Sequence, residues 1–214
     1  VQEAAEQSVA APVITAALDA RYISGRKEER VEAAKILQGP SGKIPAIDKD
    51  QLVSDLQAAL YFAKITSYAQ GMGLIKAASE KNEWNVDLSL CANMWRGGCI
   101  IRAELLKNIK DAFAKNPDLP NLMVDETFAS DLNERQMALR RVVSAGAASG
   151  ISLPALSASL SYFDQFRRER LPANLVQGQR DFFGGHTYQR IDREGTFHWY
   201  VQIDCRQRAG LSFR

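Results

Sequence analysis

The densest run of chemically capable side chains in this 214-residue sequence is Arg180-Asp181-Phe182-Phe183-Gly184-Gly185-His186. A guanidinium offers a planar, two-pronged grip on phosphate or carboxylate. An imidazole six residues on adds a donor and titrates near neutral pH. The two phenylalanines supply an anchor, and the two glycines let the backbone come close to a ligand. Together these types suit the binding of an anion. The same spacing also fits a plainer arrangement, in which Phe182 and Phe183 pin a tail, Arg180 lies on the surface and His186 is solvated. Spacing alone leaves both open.

Arg21 is the second candidate. It follows an alanine-rich apolar run and precedes Tyr22-Ile23-Ser24-Gly25, near the expected end of a helix. A cation there favours the helix dipole, which is the simpler reading of its place. The other basic groups, at 26–30, 140–141 and 167–170, fall on the polar sides of helical patterns and read as solvated faces. Cys91 and Cys99 flank Trp95-Arg96-Gly97-Gly98 and read as small buried hydrophobes.

Other chemistries are excluded by type and spacing. No G-x-G-x-x-G follows a strand, and Gly71-Met72-Gly73 sits inside a helical stripe. There is no P-loop, no H-E-x-x-H and no G-x-S-x-G. Two histidines, His186 and His198, are too few for a multi-histidine metal site. Three cysteines without a C-x-x-C pair argue against a disulfide scaffold or zinc site and fit a reducing compartment. A formal net charge of +2 gives no reason to expect nucleic acid as a partner. No apolar run approaches the ~20 residues that span a bilayer, so no membrane association is expected. The opening residues lack the pattern of a secretory signal and read as though taken from within a longer protein.

The elements that must position these side chains are helical. Apolar residues recur at three and four over 12–24, with Pro12 suited to a first turn. A second pattern over 27–37 stops at Gly39-Pro40, and 41–47 reads as a loop. Asp48 with Gln51 has capping-box spacing. It opens a stripe (Leu52, Leu56, Ala59, Leu60, Ala63, Ile65, Tyr68, Met72, Ile75) that predicts one helix ~50 Å long, packed on several sides as a central post. Gly71 and Gly73 within it are expected to admit another helix at close range. Further helices are predicted over 87–96, 100–115, 125–149 and 154–169, joined by short loops, so the fold class is all-α with antiparallel neighbours. After Leu171 the period fades into one short helix and an extended tail.

Four segments, ARYISGRKEERVEAAKIL, SYAQGMGLIKAAS, WRGGCIIRAELL and LPANLVQGQRDFFGGHTYQRID, occur in the order in which similar landmarks occur in 6-phosphogluconate dehydrogenases. The resemblance runs over residues 1 to 198. It implies a helical, dimer-forming carboxy-terminal domain of an enzyme that converts 6-phosphogluconate to ribulose 5-phosphate and carbon dioxide with NADP and without a metal. By that resemblance Arg21 binds the substrate phosphate from its own subunit, while Arg180 and His186 reach into the partner's site. The expected organisation is a helical domain over 1–170, a tail over 171–198 that crosses to the partner of a homodimer, and an atypical terminus at 199–214.

The dinucleotide-binding domain that would hold NADP, and the catalytic lysine and glutamate, have no counterpart in these residues. The chain alone is therefore expected to be inactive. The resemblance implies a cytoplasmic protein, or a plastid one if a transit peptide precedes residue 1. A non-catalytic dimerisation module derived from the enzyme is the alternative. A related dehydrogenase for a smaller acid is disfavoured, because a substrate without a phosphate has little use for the cationic tail.

Overall fold

The computed structural model describes residues 1–44, 48–98 and 104–199. Its chain divides into two units, Val1–Phe166 and one beginning at Arg167. The first unit is all-α: α1 (Gln2–Glu6), α2 (Pro12–Gly25), α3 (Lys27–Ala33), α4 (Lys49–Lys81), α5 (Leu88–Gly98), α6 (Leu105–Lys115), a single 3-10 turn (Leu122–Val124), α7 (Glu126–Ser149) and α8 (Pro154–Phe166). Helix α3 stops four residues short of its predicted end, and α8 three residues short. The first residues of the helix predicted over 100–115 lie partly outside the described residues.

Helix α4 is the post that the sequence predicts. It packs against α2, α5, α7, α8 and the 3-10 turn. Asp48 caps it, its carboxylate accepting from the N–H groups of Asp50 (2.8 Å) and Gln51 (3.1 Å). The reciprocal half of the capping box is replaced. Gln51 donates instead to Asp55 (2.9 Å), a buried carboxylate that needs donors.

The core gathers Phe62, Ile65 and Met72 of α4, Leu106 and Ile109 of α6, Phe128, Leu132 and Leu139 of α7, and Phe163 of α8. Phe62 and Phe163 meet edge to face at 5.1 Å between centroids, a favoured aromatic geometry. Burying each such side chain stabilises by roughly 1.5–3 kcal/mol.

Three expectations are corrected. Leu56 and Leu60, placed by periodicity in the core stripe, are exposed together with Val53, so one face of α4 remains apolar and open. Gly71 and Gly73 do not admit a neighbour in this chain: a side chain at either would stand in open space among the described residues. Arg140 and Arg141 are not merely a solvated face: Arg140 is half-buried, Arg141 is exposed, and both are paired. Adjacent positions on a helix point ~100° apart, so each reaches a different neighbour. Arg140 grips Asp164 of α8 with two bonds (2.8 and 2.6 Å), and Arg141 grips Asp55 of α4 (2.7 and 2.6 Å).

Helix α7 ends where the sequence predicts. Gly150 takes the left-handed conformation (φ +73°). Ile151 N–H then bonds to the Gly146 carbonyl (2.9 Å) and Gly150 N–H to that of Ala147 (3.3 Å), the pattern of a Schellman cap. Leu153 folds back onto Gly146 so closely that an added Cβ would lie 2.5 Å from its Cδ1 and 3.1 Å from the Ile151 carbonyl oxygen.

Gly146→Ala should therefore cost about 1–3 kcal/mol of stability through overpacking, despite the better helix propensity of alanine, measured by urea denaturation. A mutant as stable as the parent would show that the α7–α8 turn yields freely. The Arg141 guanidinium beside Asp55 holds that carboxyl below its ordinary range, against the opposing effect of burial. A depressed folded pKa stabilises above the unfolded value, near 3.9, and the contribution is lost as pH falls through the folded value. Asp55→Asn should accordingly be less stable than the parent at pH 7, with the gap narrowing on acidification toward pH 3. A gap independent of pH would contradict an ionised Asp55.

Candidate functional site

The second unit is built on α9 (Asn174–Gly184), followed by a short antiparallel hairpin of β1 (Tyr188–Gln189) and β2 (Thr196–Phe197). Tyr188 faces Phe197 in register, with ring centroids 6.2 Å apart. The guanidinium of Arg190 lies over the Phe197 ring and also grips Asp192 with bonds of 2.7 and 2.6 Å. This is the short helix and extended tail that the sequence predicts.

Arg180 and Asp181 occupy consecutive positions of α9 and so point apart. Arg180 is exposed, whereas Asp181 is fully buried. Gly185 closes the helix in the left-handed region (φ +61°), its N–H bonding to the Asp181 carbonyl (2.8 Å). Two residues later Thr187 is left-handed as well (φ +65°). A β-branched residue is a rare occupant of that region and costs on the order of 1–3 kcal/mol there, so its surroundings must enforce it.

Between these two reversals lies His186, whose ring returns over α9 to hydrogen-bond the Arg180 guanidinium through Nε2. A guanidinium only donates, and the other ring nitrogen, Nδ1, faces the Thr187 carbonyl oxygen at 3.4 Å. The structure thus brings Arg180 and His186 together on an exposed surface. An anion arriving there meets the remaining guanidinium N–H groups.

The anchor is not the one expected. Phe182 and Phe183 are 51% and 76% exposed, stacked edge to face on one another. Along with Leu175 and Val176 they form an open apolar face of α9. The tail is held by Asp181 instead. Its Oδ1 accepts from Thr187 N–H (2.7 Å) and from His198 Nδ1 (2.7 Å), and its Oδ2 accepts from Trp199 N–H (2.5 Å). Burial pushes against ionisation of this carboxyl, but the bonds from His198, Trp199 and Thr187 together outweigh it and hold the group below its ordinary range. Sequence reasoning does not single out Asp181, Thr187 or His198 as site residues. The available signal is the Arg-Asp pair at a helix end: on a helix, one member must turn inward when the other turns out.

Arg21 lies in the first unit, exposed on α2. The helix-end role suggested by its place belongs to another residue. Helix α2 runs on to Gly25, and Arg30 serves its final carbonyls, donating to Ile23 (3.1 Å) and Ser24 (3.0 Å). Arg21 therefore stands a turn before the end, with its charge facing solvent. Cys91 is half-buried, and burial raises its thiol above the usual range, which suits an inert side chain. Cys99 and Cys205 lie outside the described residues.

Among the described residues no three His, Cys, Asp or Glu side chains cluster as metal ligands would. Nor does any described strand feed a glycine-rich turn into a helix N-terminus, the arrangement that cradles a dinucleotide pyrophosphate. Among the described residues, then, no element offers NADP that cradle.

Comparison with known proteins agrees with this architecture. The model of the 6-phosphogluconate dehydrogenase C-terminal domain matches residues 1–200. A rice protein, 6-phosphogluconate dehydrogenase, decarboxylating 1, is 55% identical over 202 residues, covering 94% of this chain and 42% of its own length. A chloroplastic relative from Arabidopsis thaliana is 54% identical, with 92% of this chain and 42% of the relative covered. The 6-phosphogluconate dehydrogenase of Plasmodium falciparum, solved in its apo form and in complex with NADP+ and with 6-phosphogluconate, superimposes with a TM-score of 0.87 at 43% identity, covering 94% of this chain and 43% of that one. The chain thus spans about two fifths of the length of these relatives. With the family model matching nearly its whole length and the fold matching as well, the chain belongs to the 6-phosphogluconate dehydrogenase family, through the helical C-terminal domain.

Proposed function

We propose that these residues are the substrate-phosphate-binding and dimer-forming part of a decarboxylating 6-phosphogluconate dehydrogenase. The overall reaction oxidises 6-phosphogluconate with NADP+, giving ribulose 5-phosphate, carbon dioxide and NADPH. The observation that carries the proposal is the Arg180–His186 pair, held together on an exposed surface in the segment most specific to the family.

In this reading Arg180 and His186 of one copy and Arg21 of the other enclose the phosphate dianion. The reacting carbon is C3, remote from the phosphate. Binding energy gathered at the phosphate holds C3 in place for the chemistry and lowers the entropy cost of reaching the transition state. Hydride transfer and decarboxylation fall to groups outside these 214 residues, so the chain alone is proposed to turn over no substrate. NADP likewise belongs to another part of the enzyme.

The proposed organisation is a helical domain over 1–170 and a tail over 171–198 that engages the partner copy, with no function assigned to 199–214. Its place is the cytoplasm, or the plastid in the manner of the chloroplastic relatives. No described helix is long and apolar enough to cross a membrane. Dimer formation is supported by the open apolar faces: Val53, Leu56 and Leu60 on α4, and Phe182 and Phe183 on α9. A non-catalytic dimerisation module would keep these faces but would have no use for the phosphate-binding pair.

In a full-length enzyme carrying these residues, Arg180→Ala should raise the substrate KM roughly ten- to 150-fold. That corresponds to loss of a charged hydrogen bond of about 1.5–3 kcal/mol. The NADP KM should stay near normal, and equal damage to both ligands would reject the assignment. The 214-residue chain should sediment as a dimer at micromolar concentration. A monodisperse monomer would contradict the dimer-forming role.

A further inference from the structure

We infer that Asp181 is the positioning residue of the phosphate site: it touches no substrate, but its buried carboxylate sets Arg180 and His186 side by side. The inference rests on the reading of that pair as the phosphate clasp, and adds to it the group that makes the clasp.

Arg180 and His186 are six residues apart, across the end of a helix, and both are exposed. Among the described residues neither is packed into a wall that would fix its rotamer. Their juxtaposition therefore depends on the backbone path from 184 to 187, which reverses twice through left-handed residues, at Gly185 and Thr187. Gly185 adopts its conformation without penalty. Thr187 does not, and its N–H is bound by Asp181 Oδ1. The carboxylate that receives this N–H is rigidly placed on α9, one residue from Arg180. A single group thus references His186 to the same helix that carries Arg180.

The other two donors complete the closure. His198 Nδ1 and Trp199 N–H reach Asp181 from beyond the hairpin, so residues 187–199 form a loop tied at both ends to one side chain. The His198 ring also covers the turn, its Cε1 lying 3.7 Å from where a Cβ at Gly185 would stand. With every donor satisfied by one buried acceptor, the loop has little freedom to move His186 away from Arg180. Asparagine at 181 keeps the size of the side chain but loses the charge and one acceptor oxygen. It cannot accept all three bonds.

The test uses the full-length dimeric enzyme with Arg180→Ala, Asp181→Asn and Thr187→Gly variants. Each is assayed for kcat, for the separate KM values of sugar-phosphate substrate and NADP, and for competitive inhibition by inorganic phosphate. Asp181→Asn should raise the substrate KM and the phosphate inhibition constant at least tenfold. Its NADP KM should stay within twofold of the parent, and its kcat should fall less than its kcat/KM for the sugar phosphate. Thr187→Gly, which relieves the strained conformation, should unfold at the same or a higher temperature yet raise the substrate KM at least threefold. That combination is one a merely structural role would not produce.

If Asp181→Asn does not fold, Thr187→Gly decides. An unchanged substrate KM in the folded variants, with Arg180→Ala impaired, overturns the positioning role of Asp181. An unchanged substrate KM in Arg180→Ala itself overturns the phosphate-site reading beneath it.

Discussion

A carboxylate withdrawn from water must be given donors, and this one constraint shapes both units of the chain. Desolvating the charge is costly, and only well-directed hydrogen bonds offset it. In the first unit Asp55 of α4 meets the constraint with two bonds from Arg141 and one from Gln51. The bonds from Arg141 join the central helix to α7. In the second unit Asp181 meets it with the backbone of Thr187 and Trp199 and the imidazole of His198. That choice draws a tail of otherwise weak structure, with a hairpin of two-residue strands, into a defined loop.

The two solutions differ in what they leave free. Arg141 is consumed by Asp55, and Arg140 by Asp164. Those guanidinium groups hold helices together. On α9 the relation is reversed. Asp181 satisfies itself from the loop, and Arg180 beside it stays exposed, its bonds among the described residues going to His186 and, at 3.5 Å, Gln177. An exposed cation survives there because its neighbouring carboxylate has been occupied by other donors. The uncovered apolar faces of α4 and α9 follow a similar logic at larger scale, being surfaces the single chain does not use.

The helical architecture was legible because its signals are local. The Asp48 cap, the Gly150 stop and the three-and-four spacing between them each act within a turn or two. Which side of a stripe meets the core was not legible. Leu56 and Leu60 obey the same period as Ile65 and Met72, yet the first pair is open and the second buried. The candidate site was half legible. Arg180 and His186 announced themselves by type and by family resemblance. Asp181 did not, because its partners lie six, seventeen and eighteen residues away through a loop without periodicity. Thr187 also adopts a conformation that its β-branched side chain disfavours. Similarly, nothing local distinguished Arg30, which caps α2, from Arg21, which does not.

The most direct test of the central claim is a crystal structure of a full-length dimer carrying these residues, with 6-phosphogluconate bound. The account predicts phosphate oxygens within hydrogen-bonding distance of Arg180 and His186 from one copy and of Arg21 from the other, with Asp181 still closed on Thr187 and His198. A phosphate held by other groups, while Arg180 and His186 face solvent in every copy, would contradict it.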